Sequence, residues 1–214
     1  MCAQFLLKAK ARELENLFGI KMPEGAHDFD ERILPYRQSP VITHSGVRMM
    51  NFSLIPSWSK ERKPKFATHN ARLETIAEKP TWKKPFETKH CLIPLTTFIE
   101  PIYENEFAGH MVGFHTKDSA LLAAAGVYDE WLDKETGEIV ESFAIITDEP
   151  PPFIAKIGHD RCPVFLPPPS FQKWLEPKPQ KGPALVEFLK HEKYTPQLTA
   201  DKDRPMRPGW QKRI

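Results

Sequence analysis

The sequence has few cysteines and no recognisable metal motif, and both absences narrow the class of protein. Three cysteines occur among 214 residues, and they form no Cys-x-x-Cys pair. This number and spacing argue against a disulfide scaffold and against a structural zinc site. The eight histidines show no His-Glu-x-x-His spacing, so we predict no metal site and no cofactor.

Membrane segments and secretion signals are also missing. The longest apolar stretches, 120–127 and 143–146, fall well short of the roughly 20 residues that a membrane-spanning helix needs. The first ten residues lack the layout of a signal peptide. We therefore expect a cytoplasmic protein without a membrane partner.

Proline is abundant and restricts the fold class. The 22 prolines interrupt the chain too often for a helical bundle or a long βαβ array. The length and the 40% hydrophobic content are enough for one core. We predict a single α+β, mostly β domain over residues 1–194, followed by a basic, proline-containing, extended tail over residues 195–214.

Local patterns predict individual elements. Leu14, Leu17 and Phe18 give residues 8–18 helical spacing. The clearest signal is a hairpin, in which the β-rich runs 120–132 and 139–147 are joined by the turn-forming residues 133–138. Further strands are predicted at 41–43, 50–54 and 90–94, and further helices at 170–175 and 183–191.

The residue directly after Met1 carries the most distinctive chemistry. Removal of Met1 would make Cys2 the N-terminus and turn it into a 1,2-aminothiol. Its amine can condense with an aldehyde to give a Schiff base, and the thiol can then close a five-membered thiazolidine. No internal cysteine can do this. From position alone, an ordinary small residue after the initiator remains the alternative.

Positive charge is concentrated in residues 58–90, although the net charge of the chain is only +2. Lysine and arginine outnumber glutamate in this basic segment. Four aromatic residues are interleaved with them, namely Trp58, Phe66, Trp82 and Phe86. Cations combined with stacking faces suit single-stranded nucleic acid. A solvated surface with a few core aromatics is the alternative.

Several short motifs occur in a fixed order along the chain. Ser39-Pro40 and Leu54-Ile55-Pro56-Ser57-Trp58 are two of them. The others are Met1-Cys2, Asn70-Ala71-Arg72-Leu73-Glu74-Thr75, Cys91-Leu92-Ile93-Pro94 with Phe98-Ile99-Glu100, and His159-Asp160-Arg161-Cys162-Pro163-Val164. In order and spacing the chain, from residue 2 to about residue 168, resembles the SRAP family. These are SOS-response-associated peptidases that bind abasic sites in single-stranded DNA.

The resemblance implies a fold, a partner and a reaction. The fold is a mostly β, barrel-like antiparallel sheet core with short peripheral helices. The partner is single-stranded DNA that contains abasic sites, and the protein is a monomer that associates with the nucleoid when bound. In the reaction, Cys2 captures the ring-opened deoxyribose aldehyde after autoproteolytic removal of Met1, and a DNA–protein thiazolidine crosslink shields the lesion.

The resemblance also implies catalytic roles. His159 protonates the ring oxygen of the closed sugar and exposes the aldehyde, a task that suits an imidazole titrating near neutrality. Glu100 moves protons between the amine, the carbinolamine and water, and contributes to Met1 removal and to reversal. Asn70 fixes the amine or hydrogen-bonds the sugar without itself titrating.

Five residues are expected to contact DNA. Arg72 binds a backbone phosphate through its planar fork, and Arg161 and Thr147 are further candidates for the same contact. Trp58 and Pro40 wedge against the bases that flank the lesion.

The sequence departs from the family pattern at several points. Ala3-Gln4 stands where the family commonly has Gly-Arg, which removes a potential phosphate contact. Thr96-Thr97 and Pro101 replace the usual residues around Glu100, and Gly158 replaces a hydrophobic residue before His159. The replacements around Glu100 put the pose of its carboxylate in question, and Gly158 puts the rigidity of the His159 loop in question.

Two other functions stay open from the sequence. One is a cysteine-dependent peptidase acting on other proteins, with Cys2 as the thiolate, His159 as the base and Asn70 as the orienting group. The other is a single-stranded DNA-binding module whose chemistry has decayed.

Overall fold

The computed structural model describes residues 4–213. Twelve strands follow in chain order: β1 (Gln4–Ala9), β2 (Phe29–Ile33), β3 (Gln38–Thr43), β4 (Gly46–Phe52), β5 (Asn70–Arg72), β6 (His90–Leu95), β7 (Thr97–Ile102), β8 (His110–Thr116), β9 (Leu122–Leu132), β10 (Ile139–Asp148), β11 (Cys162–Pro163) and β12 (Leu198–Pro205). The helices are α1 (Ala11–Phe18), α2 (Lys83–Thr88), α3 (Pro152–Ile157), α4 (Phe171–Trp174) and α5 (Gly182–Glu192), with short 3-10 turns at Asn105–Phe107, Pro168–Ser170 and Trp210–Arg213.

The strands form two sheets. The first has the order β12-β8-β7-β1-β2 and is antiparallel throughout. The second follows the path β11-β10-β4-β3-β6-β9, and β5 also pairs with β10. Most of its pairings are antiparallel, but β10 runs parallel to both β4 and β5. The predicted mostly β, α+β fold class is confirmed, with the antiparallel core arranged as two sheets rather than one regular barrel.

The main core lies between the two sheets. Phe5, Phe98 and Phe114 enter it from the first sheet, and Phe52 and Phe143 enter it from the second. Side chains alternate between the two faces of a strand, so Phe98, Glu100 and Ile102 of β7 share one face. Because Phe98 and Ile102 belong to the core, Glu100 is directed toward the protein interior.

Three of the predicted elements are recovered closely. The hairpin is formed by β9 and β10 with its turn closed by hydrogen bonds between Asp133 and Glu138 and between Asp133 and Gly137. The two late helices are α4 and α5. The predicted helix over 8–18 begins only at Ala11, because β1 continues through Ala9.

The segment after Tyr194 contains a strand that the sequence does not predict. Residues 198–205 form β12, which pairs with β8 along its whole length. The charged composition that suggests a tail is that of an edge strand, whose outer side faces solvent. Of the helices within residues 4–213, none is long and apolar enough to cross a membrane.

Ser53 has a strained backbone at the end of β4. Its φ angle is +99°, a conformation that favours glycine, and the residue is only 1% exposed. Within residues 4–213 its hydroxyl finds no hydrogen-bond partner. The residue therefore combines a conformational cost with a buried polar group that is left unsatisfied.

We expect the Ser53→Gly variant to be more stable than the parent by roughly 1 kcal/mol, because glycine adopts positive φ without strain and removes the buried hydroxyl. The measurement is the urea midpoint at constant m-value. Ser57→Gly is the matched control, since Ser57 is exposed and its φ is not positive. That variant should lose a few tenths of a kcal/mol, roughly as expected from the added backbone entropy. Equal destabilisation by both substitutions would contradict the proposed strain.

Candidate active site

A buried carboxyl on β7 and a buried imidazole that follows α3 face each other. Glu100 is fully buried and His159 is 8% exposed. The distance from His159 Nε2 to Glu100 Oε2 is 3.4 Å. The two residues that the sequence assigns to acid–base chemistry are therefore in contact, although they are 59 positions apart in the chain (159 minus 100).

The end of α3 positions His159. Gly158 follows this helix with φ +101°, and its N–H donates to the carbonyls of Ile154 and Ala155. A Cβ at this position would lie 3.0 Å from the side-chain amide of Asn105. The glycine that replaces a hydrophobic residue of the family pattern thus ends the helix in the left-handed conformation and turns the chain toward Glu100.

The backbone of Arg161 holds the second nitrogen of the imidazole. His159 Nδ1 lies 2.9 Å from the carbonyl oxygen of Arg161, and the N–H of Arg161 donates to the same nitrogen at 3.2 Å. One contact suits a protonated Nδ1 and the other an unprotonated Nδ1. Either tautomer is therefore stabilised, so Nε2 can face Glu100 as a donor or as an acceptor.

Burial also determines the charge of this imidazole. It lowers the pKa of His159 from its ordinary value of 6.5 to about 4. At neutral pH the ring is uncharged, and the sequence-based expectation of a histidine titrating near neutrality is not supported here. A neutral imidazole beside a carboxyl is suited to relay a proton rather than to store one.

The polar residues of the Asn70 motif lie on the neighbouring sheet edge. The short strand β5 runs parallel to β10, with Asn70 opposite Ile145 and Arg72 opposite Thr147. Asn70 is 7% exposed and Thr147 is fully buried, whereas Arg72 is exposed. Of these three residues, the structure leaves only the arginine on the surface, where a phosphate can reach it.

Arg161 is held by protein groups. Its Nη1 and Nη2 donate to the two carboxylate oxygens of Glu74 at 2.8 and 2.7 Å, and Nη2 also donates to the carbonyl of Thr147 at 3.0 Å. Burial alone would raise the pKa of Glu74, but hydrogen bonds and the charge of Arg161 lower it. The sequence does not reveal this pairing. The bidentate pair ties the His159 loop to the segment that follows β5.

The two proposed wedge residues line different surface clefts. Trp58 is 59% exposed in a cleft of about 430 Å³ that it shares with Lys60, Lys65 and Phe66. Pro40 is buried in β3 and lines a separate, mainly apolar cleft of about 400 Å³ near Met22 and Met49. Neither Pro40 nor Trp58 lines the cleft that contains His159.

The basic segment divides into a surface part and a core part. Trp58 and Phe66 are exposed, but Trp82 and Phe86 are 6% and 0% exposed and pack in the core behind the second sheet. Only the first two aromatic residues can therefore stack on a ligand. The loop that carries them is anchored, since Ser57 N–H donates to Asp129 and Trp131 Nε1 donates to the Ser59 carbonyl.

An open cleft of about 430 Å³ leads to His159. Residues that sequence reasoning did not identify line it, including His69, Tyr103, Glu104 and Asp160. Burial lowers the pKa of His69 as well. The only sequence signal for His69 is its position directly before the Asn70 motif. Within residues 4–213, no group of three or more His, Cys, Asp or Glu side chains is arranged to hold a metal ion.

Cys2 lies outside the described residues. The other two cysteines are buried free thiols. Burial raises the pKa of Cys162 to about 12, with a further contribution from the charge of Glu100. Burial also raises the pKa of Cys91. Burial and a raised pKa make both thiols poorly suited to supply a thiolate near neutral pH.

We expect the stability of the protein to decrease as the pH falls from about 6.5 toward 4, and His159→Gln to reduce that decrease. The unfolded histidine has the higher pKa, so over this window the unfolded state binds more protons and gains stability relative to the folded state. The measurement is the urea midpoint at several pH values. His44→Gln, at an exposed position, should leave the pH dependence unchanged. Identical curves for His159→Gln and the parent would contradict the lowered pKa.

Comparison with known families identifies the class of protein that this fold and site define. The family of SOS response associated peptidases (SRAP) matches residues 1–201. The chain therefore belongs to the SRAP family, and the resemblance drawn from its motifs is confirmed.

Individual relatives agree with this assignment. The chain is 33% identical over 195 residues to the abasic site processing protein YoaM of Bacillus subtilis, covering 88% of this chain and 85% of YoaM. It is 32% identical over 184 residues to the abasic site processing protein YoqW of the same organism, covering 83% and 81%. A crystal structure of a protein from Bacteroides thetaiotaomicron superposes with a TM-score of 0.76 at 28% identity, covering 99% of this chain and 94% of that chain.

Proposed function

We propose that the protein recognises abasic sites in single-stranded DNA and joins itself to them through Cys2. The observation that carries the proposal is the buried Glu100–His159 pair at the end of an open cleft. Family membership supports it, as do relatives that are named abasic site processing proteins. The joined state would shield the lesion from other reactions.

The proposed reaction begins with removal of Met1, which hydrolyses one peptide bond and frees the amine of Cys2. The amine adds to the C1 aldehyde of the ring-opened sugar, and loss of one water gives an imine. The thiol then adds to the imine carbon, and its proton moves to the nitrogen to complete the thiazolidine. The sum is aldehyde plus aminothiol giving thiazolidine plus water, and no oxidant or reductant is needed.

Covalent geometry supports the assignment of Glu100 and His159 to this reaction. Gln4, the first described residue of β1, pairs with Ile99, directly before Glu100. Cys2 precedes Gln4 by two residues in the sequence, and this connection to β1 supports a role for its amine and thiol in chemistry at the acid–base pair.

Within this proposal, Glu100 and His159 share the proton transfers. His159 Nε2 passes a proton to the ring oxygen of the closed sugar, and Glu100 exchanges a proton with the amine and with the departing water. Because the two side chains are in contact, a proton lost by one of them can be replaced from the other. Asn70, on the adjoining β5, orients the amine or a sugar hydroxyl.

Arg72 is the proposed phosphate contact, because it is exposed and lies on the strand that also carries Asn70. Trp58 with Lys60 and Lys65 offers a second contact for the strand, through stacking and charge. Arg161 is buried and acts as a positioning residue, since Glu74 and the Thr147 carbonyl occupy its Nη1 and Nη2.

The experiment that tests the proposal is a crosslinking assay on a denaturing gel. The protein is incubated with single-stranded DNA carrying one abasic site, and intact DNA of the same sequence serves as the control. We expect a heat-stable adduct with the abasic strand alone, and an intact mass that shows loss of Met1 before reaction. Absence of an adduct from protein that has lost Met1 would contradict the proposal.

A further inference from the structure

The C-terminal segment forms a pocket next to the candidate active site. The pocket has a volume of about 380 Å³, within the range of ligand sites, and residues 204–210 make one wall of it. Pro101 and Tyr103 form part of the opposite wall. The same two residues line the cleft of His159, so the two cavities adjoin each other.

Aromatic rings give this C-terminal pocket a stacking surface. The ring centroids of Tyr103 and Trp210 are 6.3 Å apart with an angle of 50° between the planes. Gly109 allows the indole to pack closely, since a Cβ on this glycine, whose φ is +78°, would lie 3.0 Å from the Trp210 ring. The N–H of Met206 donates to the Gly109 carbonyl at 2.8 Å and fixes the segment between β12 and Trp210.

Guanidinium groups supply positive charge beside the rings. Arg207 lines the pocket and is exposed, and no carboxylate within residues 4–213 pairs with it. Arg204 lines the pocket too, and its Nη2 donates to the side-chain oxygen of Gln4 at 3.0 Å. Asp203 accepts from Arg204 at 3.3 Å but is mainly engaged by Arg32, at 2.7 and 3.0 Å. Excess positive charge therefore remains at the pocket.

We infer that the C-terminal pocket is a binding subsite for one nucleotide of the single-stranded DNA beyond the lesion. The base lies against Trp210 and Tyr103, and Arg207 holds a phosphate with support from Arg204. Paired rings beside the exposed guanidinium group of Arg207 suit a nucleotide, and the shared wall adjoins the cleft proposed to hold the reacting sugar. The inference rests on the proposed function for the identity of the strand.

One wall of the subsite lies outside the matched family region, and the opposite wall lies within it. The family match ends at residue 201, and the wall formed by residues 204–210 follows it. Residues 202–213 contain five basic side chains and one acidic one, counted from the sequence. This extension places charge and an aromatic ring beside the active-site cleft.

The test is the affinity of the full chain for intact single-stranded DNA, measured by fluorescence anisotropy over a salt series. We expect Trp210→Leu to weaken binding about tenfold, since it removes a stacking ring, and Trp210→Phe to retain most of the affinity. We expect Arg207→Ala to lower the magnitude of the salt slope by about 0.7, the value for one lost phosphate contact. Arg12→Ala, at an exposed arginine on α1 outside the pocket, is the matched control and should bind like the parent.

Parent affinity and salt slope in both Trp210→Leu and Arg207→Ala would overturn the inference. Equal losses of affinity in Trp210→Leu and Trp210→Phe would also count against stacking. If Trp210→Leu is poorly folded, the salt slope of Arg207→Ala still tests the inference, because Arg207 is exposed. Adduct yield at saturating abasic DNA is recorded in parallel and should be unchanged in all four variants. An absent adduct with the parent would contradict the proposed function, whereas the affinity comparison judges the subsite separately.

Discussion

Cys2→Ser should eliminate the heat-stable adduct with abasic single-stranded DNA. The serine variant still offers an N-terminal amine and can form the imine, but a hydroxyl closes the five-membered ring far less readily than a thiol. The imine then hydrolyses, so essentially all of the stable product is lost while noncovalent affinity for DNA is kept. The measurement is adduct yield on a denaturing gel after heating, with intact mass recorded to confirm that Met1 has been removed.

The matched controls are Cys91→Ala and Cys162→Ala, because both thiols are buried and have raised pKa values. Both variants should form the adduct in normal yield. Addition of borohydride should trap the imine of Cys2→Ser and restore a covalent product. A stable adduct of normal yield from Cys2→Ser without borohydride would exclude the thiazolidine.

His159→Ala and Glu100→Gln should each slow single-turnover crosslinking by about a hundredfold, the lower range for loss of an acid–base group. The effect of His159→Ala should vary little between pH 5.5 and 8, because burial holds the pKa of this imidazole at about 4. Glu100→Gln keeps the size of the side chain, so its affinity for intact DNA should stay close to that of the parent.

The two variants are distinguished by the step that each impairs. We expect Glu100→Gln to retain more Met1 and to form the imine slowly, whereas His159→Ala should be slow in opening the sugar and in reversal. A pH series of rates for fully processed protein separates these effects, and thermal unfolding shows whether either variant is simply less stable. Parent rates for both variants across the series would mean that Cys2 and solvent suffice.

The parts of the fold that sequence predicted are those set by neighbouring residues. The β9–β10 hairpin follows from two β-rich runs and a turn, all within residues 122–148. β12 was not predicted as a strand, because its charged residues gain a partner only through β8, more than 80 positions earlier. β1 was missed for a related reason: its short pattern merges into α1, and its partners β2 and β7 are distant in sequence.

In the candidate site, too, the sequence predicts some features, whereas others depend on contacts that form only on folding. Motif order identified Glu100 and His159, which the structure brings into contact. The pKa of His159 could not be read from its neighbours, since burial by the folded chain determines it. The partner of Arg161 was equally hidden, because Glu74 lies 87 positions away and becomes a bidentate acceptor only after folding. The sequence assigned this arginine to phosphate, and the structure gives its Nη1 and Nη2 protein partners.

The edge strand β12 has a consequence for self-association. An exposed sheet edge can template pairing with another chain and so initiate aggregation. Here the edge carries Asp201, Lys202, Asp203 and Arg204, is interrupted by a bulge between Lys202 and Arg204, and ends at Pro205. Charge, a bulge and proline are the features that block such pairing. A chain shortened to residue 197 would expose the less charged strand β8 as the sheet edge. That edge would lack the charge, bulge and proline of β12 and would be prone to intermolecular β-sheet growth.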